Sequence, residues 1–177
     1  MSAPAVIRRA EAGPADARGL ADVLVDCVEG GASVGFMLPI TRERALAFWT
    51  AMLDSSARGE RIVLVAEERG TGAVVGTVQV ILAAQENQPH RGEIAKMLVH
   101  RRARRRGLGE ALMRAAESAA VDAGRTLLVL DTASPDAERL YGRLGWQRVG
   151  LVPRYALWPD GGFVHTTIYY KDLAGSR

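Results

Sequence analysis

The chain is 177 residues long, 48% hydrophobic and 24% charged, a size and balance that predict one globular domain over 1–177 with a full apolar core. Its net charge is +3, but Arg101, Arg102, Arg104, Arg105 and Arg106 supply five positive charges, three minus five leaving −2 elsewhere; a basic face spread out for nucleic acid is not expected. A single cysteine excludes an internal disulfide, and neither a membrane-length apolar run nor a signal-type leader is visible, so the expected setting is the cytoplasm, with no membrane partner.

In chain order, residues 5–8 read as a short strand and 14–29 as a helix, with Leu20, Val23, Leu24 and Cys27 on one face. A glycine-rich loop over 30–39 leads to a helix over 41–58, opened by Thr41 as N-cap and patterned by Ala45, Phe48, Trp49 and Met52. The β-branched runs 62–66 and 74–82, joined by Glu67-Glu68-Arg69-Gly70-Thr71-Gly72, read as an antiparallel hairpin. Residues 93–99 form a further strand and 108–123 a helix. The wholly apolar 127–130 suits a strand buried on both faces. Pro135 opens a helix over 135–144 that Gly145 closes, and strands over 146–152 and 163–171 complete the set. The strand–helix–strand unit from 93 to 130 implies a parallel crossover among otherwise antiparallel neighbours. The fold class is therefore α/β, with one mixed sheet.

The basic run ends at Gly107-Leu108-Gly109, between a strand and a helix. That is a natural anion site: the first helical N–H groups are unpaired, the dipole presents positive charge, and glycines let an anion approach the backbone. The string is not a Walker A loop, which needs G-x-x-x-x-G-K-[ST]. It is not a dinucleotide fingerprint either, because Leu112 stands where the third glycine belongs.

Arg104-x-x-Gly107-x-Gly109, preceded by Met97-Leu98-Val99, resembles motif A of the GCN5-related N-acetyltransferases. Ala137-Glu138-Arg139-Leu140-Tyr141 through Gly145-Trp146 resembles their motif B, and the preceding β-α-α-β-β order agrees. The family's usual proline after the strand is Arg101 here. The loop Gly30-Gly31-Ala32-Ser33-Val34-Gly35-Phe36-Met37 and the ending from Trp158-Pro159-Asp160-Gly161 to Tyr170 resemble a toxin-resistance branch of the same family.

The resemblance implies a sheet of about seven strands with one splayed parallel pair and about four helices. It implies acetyl-CoA as co-substrate, no metal, and a small-molecule amine as acceptor. The cofactor residues it implies are Met97, Leu98, Val99, Arg104, Arg105, Arg106, Gly107, Leu108, Gly109, Glu110, Ser134 and Ala137. Arg104 and Arg106 are expected to face phosphate, with Arg101, Arg102 and Arg105 as solvent-facing charge. Tyr141 is the implied acid toward the leaving thiolate. Glu93 and Asp131 are the candidate bases, each with a structural alternative such as pairing with Lys96 or capping a turn. Ser33, Phe36 and His165 are expected on the acceptor side. The chain is expected to be a monomer or a homodimer.

Gly31-Ala32-Ser33-Val34-Gly35 also satisfies G-x-S-x-G, and Ser33, Asp131 and His165 fall in hydrolase order. A helix precedes that serine where a strand is required, so an esterase is not expected. His90, His100, His165 and Cys27 show no metal-ligand spacing. A non-catalytic CoA-binding regulatory module, or acetylation of a protein or peptide amine, is the alternative.

Overall fold

The computed structural model describes residues 5–175. Residues 1–4, which begin the stretch judged to lack a leader, lie outside the described residues. The order is β1 (Ala5–Arg9), α1 (Pro14–Glu29), α2 (Arg42–Ala57), β2 (Arg61–Glu68), β3 (Val74–Leu82), β4 (Arg91–Val99), α3 (Leu108–Asp122), β5 (Leu127–Thr132), α4 (Pro135–Arg143), β6 (Gln147–Leu157) and β7 (Phe163–Asp172). The seven strands form one sheet in the order β1-β2-β3-β4-β5-β7-β6. Only β4 and β5 pair in parallel; every other neighbour is antiparallel. The mixed sheet and four helices are the expected α/β architecture.

Local chemistry sets the helix starts. Thr41 Oγ1 accepts from the Arg44 N–H at 3.2 Å, and Ser134 Oγ from the Ala137 N–H at 3.3 Å. These are side-chain caps, each worth about 1 kcal/mol. Pro14 and Pro135 occupy first-turn positions, where a missing N–H is harmless. No described helix is long and apolar enough to cross a membrane.

Two apolar layers cover the sheet. One packs α3 and α4 against it through Leu112, Met113, Leu128, Leu130, Leu140 and Tyr141. The other packs α1 and α2 through Leu20, Leu24, Trp49, Val63, Val65 and Leu98. Strand alternation sends successive residues of β2 to β4 into opposite layers.

Two local features differ from the sequence reading. A short 3-10 turn, Arg101–Ala103, sits between β4 and α3, with the His100 imidazole accepting the Arg102 N–H. β6 continues to Leu157, well past residue 152, because register shifts against β7 let it resume pairing at Ala156 and Leu157. A run with Pro153 and a left-handed Arg154 (φ 51°) gives no alternating pattern by which that continuation would be recognised.

Candidate active site

β4 and β5 pair only where Arg91, Gly92 and Glu93 meet Leu127, Leu128 and Val129. Beyond that β4 runs to Val99 held by β3, and β5 to Thr132 held by β7, so the two diverge. β4 also carries an irregularity: the three residues of β3 from Thr77 to Gln79 span four of β4, from Leu98 back to Ala95. An extra residue of this kind turns the strand and re-aims a side chain. The residue that absorbs it is Lys96, in the left-handed region at φ 49°. The outcome is a wedge-shaped gap in the sheet, open beside the N-terminus of α3.

The register puts Glu93 and Asp131 on one face of this gap, since Glu93 lies beside Val129 and Asp131 is two residues further along β5. Asp131 Oδ2 accepts from Thr166 Oγ1 at 2.6 Å; Thr166 lies on β7 and is buried. The alternative role for Glu93, an ion pair with Lys96, is not made: among the described residues Lys96 has no salt bridge within 4.0 Å. Its ammonium stands 5.6 Å from the centre of the Phe48 ring. A Cβ on Gly35 would lie 3.9 Å from Nζ. Burial pushes the Lys96 ammonium pKa down, with Asp131 and Glu93 opposing and Arg61 reinforcing the shift.

Tyr141 is on α4, 4% exposed and packed against Trp146 and Tyr169 at ring distances of 6.0 and 5.9 Å. Its hydroxyl makes no hydrogen bond within the described residues, yet it is not one of the sealed orphan atoms, which are Trp49 Nε1, Gln79 Nε2 and Arg125 Nε. Burial, and then the charge of Asp131, push its pKa well above the usual phenol value. The phenol therefore stays protonated and can donate.

The loop opening α3 works as its glycines require. Gly107 caps the helix at φ 76°, a conformation that disfavours any side chain. The first N–H to find an acceptor within the helix is that of Ala111, which donates to Gly107 O, so the earlier ones point outward. Gly109 answers a different need: a Cβ there would sit 3.2 Å from Leu140 Cδ2, so the missing side chain lets α3 pack against α4. Leu108 buries its side chain in the α3 layer and offers only backbone. Glu110 pairs with Arg114, four residues on.

The arginines are more engaged than the sequence suggests. Arg101 and Arg102, read as solvent-facing charge, pair with Asp26 and Glu68 at 3.0 and 2.9 Å. Both acids are distant in sequence, which is why the run alone gives no sign of them. Arg106 lies 3.9 Å from Glu68. Arg104 folds back, donating to Val99 O at 3.0 Å and lying 3.8 Å from Cys27 Sγ. Only Arg105 of the five, left-handed at φ 59°, lacks such a partner among the described residues. Ser134 spends its acceptor on the α4 cap, while Ala137 packs on the α3 layer.

The segments 30–39 and 157–162 are joined. Ser33 Oγ donates to Leu157 O at 3.2 Å, and the Leu38 N–H to Pro159 O at 2.8 Å. Phe36 lies edge-on to Phe48 at 5.2 Å, with the Arg44 guanidinium 5.5 Å from its centre. This loop therefore reaches the Phe48–Lys96 side of the gap. No hydrolase triad assembles: Ser33 bonds a backbone carbonyl, Asp131 bonds Thr166, and His165, exposed, alternates to the opposite face of β7 from Thr166. Lys96, Phe48 and Thr166 escaped the sequence reading. For Lys96 a signal existed, because only one other lysine, Lys171, occurs in this arginine-rich chain.

A groove of about 440 Å³ between α1, β1 and the β2–β3 turn is lined by Arg8, Asp16, Asp22, His100 and Arg102. Its charges are already matched, Arg8 with Asp16, Asp22 with Arg42 and Arg102 with Glu68. The gap between β4 and β5 is the better candidate.

Solved structures share the whole architecture. The chain is similar to yncA of Salmonella typhimurium, solved with its cofactor acetyl-CoA, at 23% identity and TM-score 0.77, covering 96% of this chain and 94% of that one. It is similar to a phosphinothricin acetyltransferase of Sinorhizobium meliloti in complex with AcCoA, at 21% and TM-score 0.80, covering 96% and 89%. It is also similar to a ribosomal-protein-alanine N-acetyltransferase of Brucella melitensis, at 24% and TM-score 0.76, covering 95% and 99%. At these identities the likeness establishes the fold. The model of the acetyltransferase (GNAT) family matches residues 33–146, from the loop after α1 to the tryptophan after α4. With the splayed strands and the glycine-opened helix inside that span, the chain belongs to the GNAT family of acetyltransferases.

Proposed function

We propose that this acetyltransferase, a single domain over 1–177, moves the acetyl group of acetyl-CoA to the amine of a small molecule. The observation that carries the reading is the juxtaposition of the β4–β5 gap with the N-terminus of α3, an opening in the sheet beside an anion site. The residues present fit the co-substrate. Gly107 and the outward N–H groups of Leu108, Gly109 and Glu110 suit its pyrophosphate, with Arg104, Arg105 and Arg106 as the cations beside it. Met97, Leu98 and Val99 on β4, with Ser134 and Ala137 at the start of α4, would hold its pantetheine arm through backbone and side-chain contacts.

Acetyl-CoA supplies an activated acyl thioester. Transfer to an amine needs the amine neutral, the carbonyl polarised and the departing sulfur protonated. Glu93 and Asp131 share a face of the gap, so they hold a cationic amine and accept its proton directly or through water. Backbone N–H groups of β4 no longer paired to β5 are placed to polarise the carbonyl. Tyr141, buried and kept protonated, donates to the thiolate. Ser33 and Phe36 belong to the acceptor side; His165, expected with them, alternates to the other face of β7 and takes no part in this reading.

The finer reading is an acceptor related to β-lactam amino-acid toxins, making this a detoxifying enzyme. It rests on the resemblance of two segments to the tabtoxin resistance acetyltransferase, and support comes from their contact, through Ser33 with Leu157 and Leu38 with Pro159. A thiol-release assay with acetyl-CoA and a panel of amines tests both levels, with mass spectrometry of the products. Acetylated small amines support the reading, with β-lactam amino acids favoured at the finer level. Binding of CoA with no acetyl transfer to any amine would refute it and leave the regulatory-module alternative. Modification of protein N-termini alone would move the acceptor to peptides.

A further inference from the structure

The roles above leave one primary amine of the gap unused. Of the chain's 23 lysines and arginines only Lys96 and Lys171 are lysines. Lys171 is committed: its ammonium lies 2.7 Å from Glu117 Oε2 and 2.7 Å from Leu144 O. Lys96 Nζ makes no hydrogen bond or ion pair among the described residues. The bulge on β4 and the left-handed backbone at Lys96 break the strand alternation and turn this side chain toward α2, onto the face that bears Glu93 and Asp131. The groups facing it are Glu93 from β4, Asp131 from β5, Arg61 from β2, the Phe48 ring from α2 and Gly35 from the loop after α1.

We propose that Lys96 is a self-acetylation site: with no acceptor bound, its own amine takes the acetyl group the enzyme would otherwise pass on. The proposal rests on the acetyl-CoA reading above. Chemically, Lys96 already is what the enzyme acts upon, a primary amine in an acceptor seat. Lys171 is tied to a carboxylate and a carbonyl, so its nitrogen is not free to approach a thioester. Lys96 has no such partner, and its partial burial favours the neutral, nucleophilic form. In the step, Nζ attacks the thioester carbonyl carbon, a C–N bond forms and the C–S bond breaks. The proton lost by Nζ goes to the departing sulfur through Asp131, Tyr141 or water, leaving N-acetyl-Lys96 and CoA thiol. No oxidant or further reactant is needed. The modification removes the positive charge opposite Asp131 and Glu93 and fills the space under Gly35. An acceptor occupying the gap protects the enzyme from it.

Two measurements on wild-type protein test the proposal. The first uses protein free of acetyl-CoA, labelled with [ε-13C]lysine, whose two side-chain resonances are assigned with Lys171→Arg. Lys96 should titrate below the ordinary lysine value, and trace acetic anhydride should label it faster than Lys171. Lys96 titrating at or above the ordinary lysine value, and labelling no faster than Lys171, would overturn the proposal. The second incubates the protein with acetyl-CoA alone. One acetyl group should appear in the intact mass and map to Lys96, leave Lys171 unmodified, and be absent from Lys96→Arg. Acetyl transfer to added amino acids or aliphatic diamines while Lys96 stays unmodified would overturn self-acetylation and leave the functional reading standing. Absence of acetyl-CoA binding by calorimetry would remove both.

Discussion

The two faces of the sheet are built on different terms. Under α3 and α4 the centre of the layer is apolar, with Leu112, Met113, Ala116 and Leu128 fully buried, and its polar groups are paired, Glu117 with Lys171 and Trp146, and Glu138 with Tyr169 and Thr167. Under α1 and α2 the apolar layer is interrupted by polar groups: Gln79 and Thr77 are buried, Arg61 donates to Gln79 and Ser55, and Asp16 is buried against Arg8. Glu93, Lys96 and Asp131 open from this same face into the gap. The proposed proton-handling groups Glu93 and Asp131 therefore lie on the α1–α2 side, and Tyr141 is contributed from the α3–α4 side.

The largest effect tests the apolar centre of the α3–α4 layer. Leu112→Ala removes a fully buried side chain between α3 and the sheet and should cost about 2–5 kcal/mol in chemical denaturation, with the denaturant slope unchanged. A loss below about 1 kcal/mol would mean that the stability resides elsewhere. Tyr141→Phe then separates stability from chemistry within one layer. Its hydroxyl has no protein partner, so stability should change by less than about 1 kcal/mol. Turnover should fall about 10²-fold with CoA affinity retained. Unchanged turnover would remove the tyrosine from the chemistry.

On the polar face Asp16 is a buried charge that is fully paired. The Arg8 guanidinium, donating to both carboxylate oxygens at 2.8 Å, holds Asp16 below the usual carboxylate range, and the Glu11 N–H adds to the effect against the opposing pull of burial. A depressed folded-state pKa adds stability above the unfolded value, about 3.9. That contribution is lost as pH falls from there through the lower folded value. Asp16→Asn should therefore destabilise by about 2 kcal/mol at neutral pH, a figure reduced because Arg8 is 32% exposed. The gap from wild type should narrow below about pH 4. A pH-independent difference would assign the loss to packing. Glu93→Gln is expected to lower kcat/KM about tenfold and reshape the pH–rate profile, with stability retained. No change would transfer the base role to Asp131 or to water.

This division was only half legible in the sequence. Apolar patterning and the punctuation of Pro and Gly located all four helices and seven strands, although β6 buries no stripe of its own. Glu93, Asp131 and Tyr141 were singled out from motif and strand position alone, and the register puts the two acids on one face as that reading needs. Lys96 was missed because its orientation comes from a bulge. A left-handed residue in the middle of a strand leaves no mark on an alternating pattern, and Met97-Leu98-Val99 drew attention to the backbone beyond it. Gly109 was read for the cofactor, while its nearest demand is the approach of Leu140, a contact between helices that local pattern does not encode.

The smallest expected effects concern the arginine run, where the sequence looked loudest. Arg101 and Arg102 are 48% and 46% exposed, and their partners Asp26 and Glu68 are far more covered, at 14% and 20%. Exposed pairs of this kind contribute about 1 kcal/mol or less. Arg101→Ala should sit at the upper end, because Asp26 Oδ1 would lose the Arg101 guanidinium and the carboxylate would keep only the backbone N–H of residue 101, at 2.8 Å on Oδ2. Arg102→Ala should cost less, since Glu68 still accepts from Thr71 and keeps Arg106 within 3.9 Å. Arg105→Ala should leave stability within about 0.5 kcal/mol, as its side chain has no partner to lose. Thermal denaturation in low and high salt reads all three. Screening should shrink the first two differences and leave the third unchanged. If Arg105→Ala alone weakens acetyl-CoA binding, the one uncommitted cation of the run serves the co-substrate, and the paired ones hold the turn that presents Gly107.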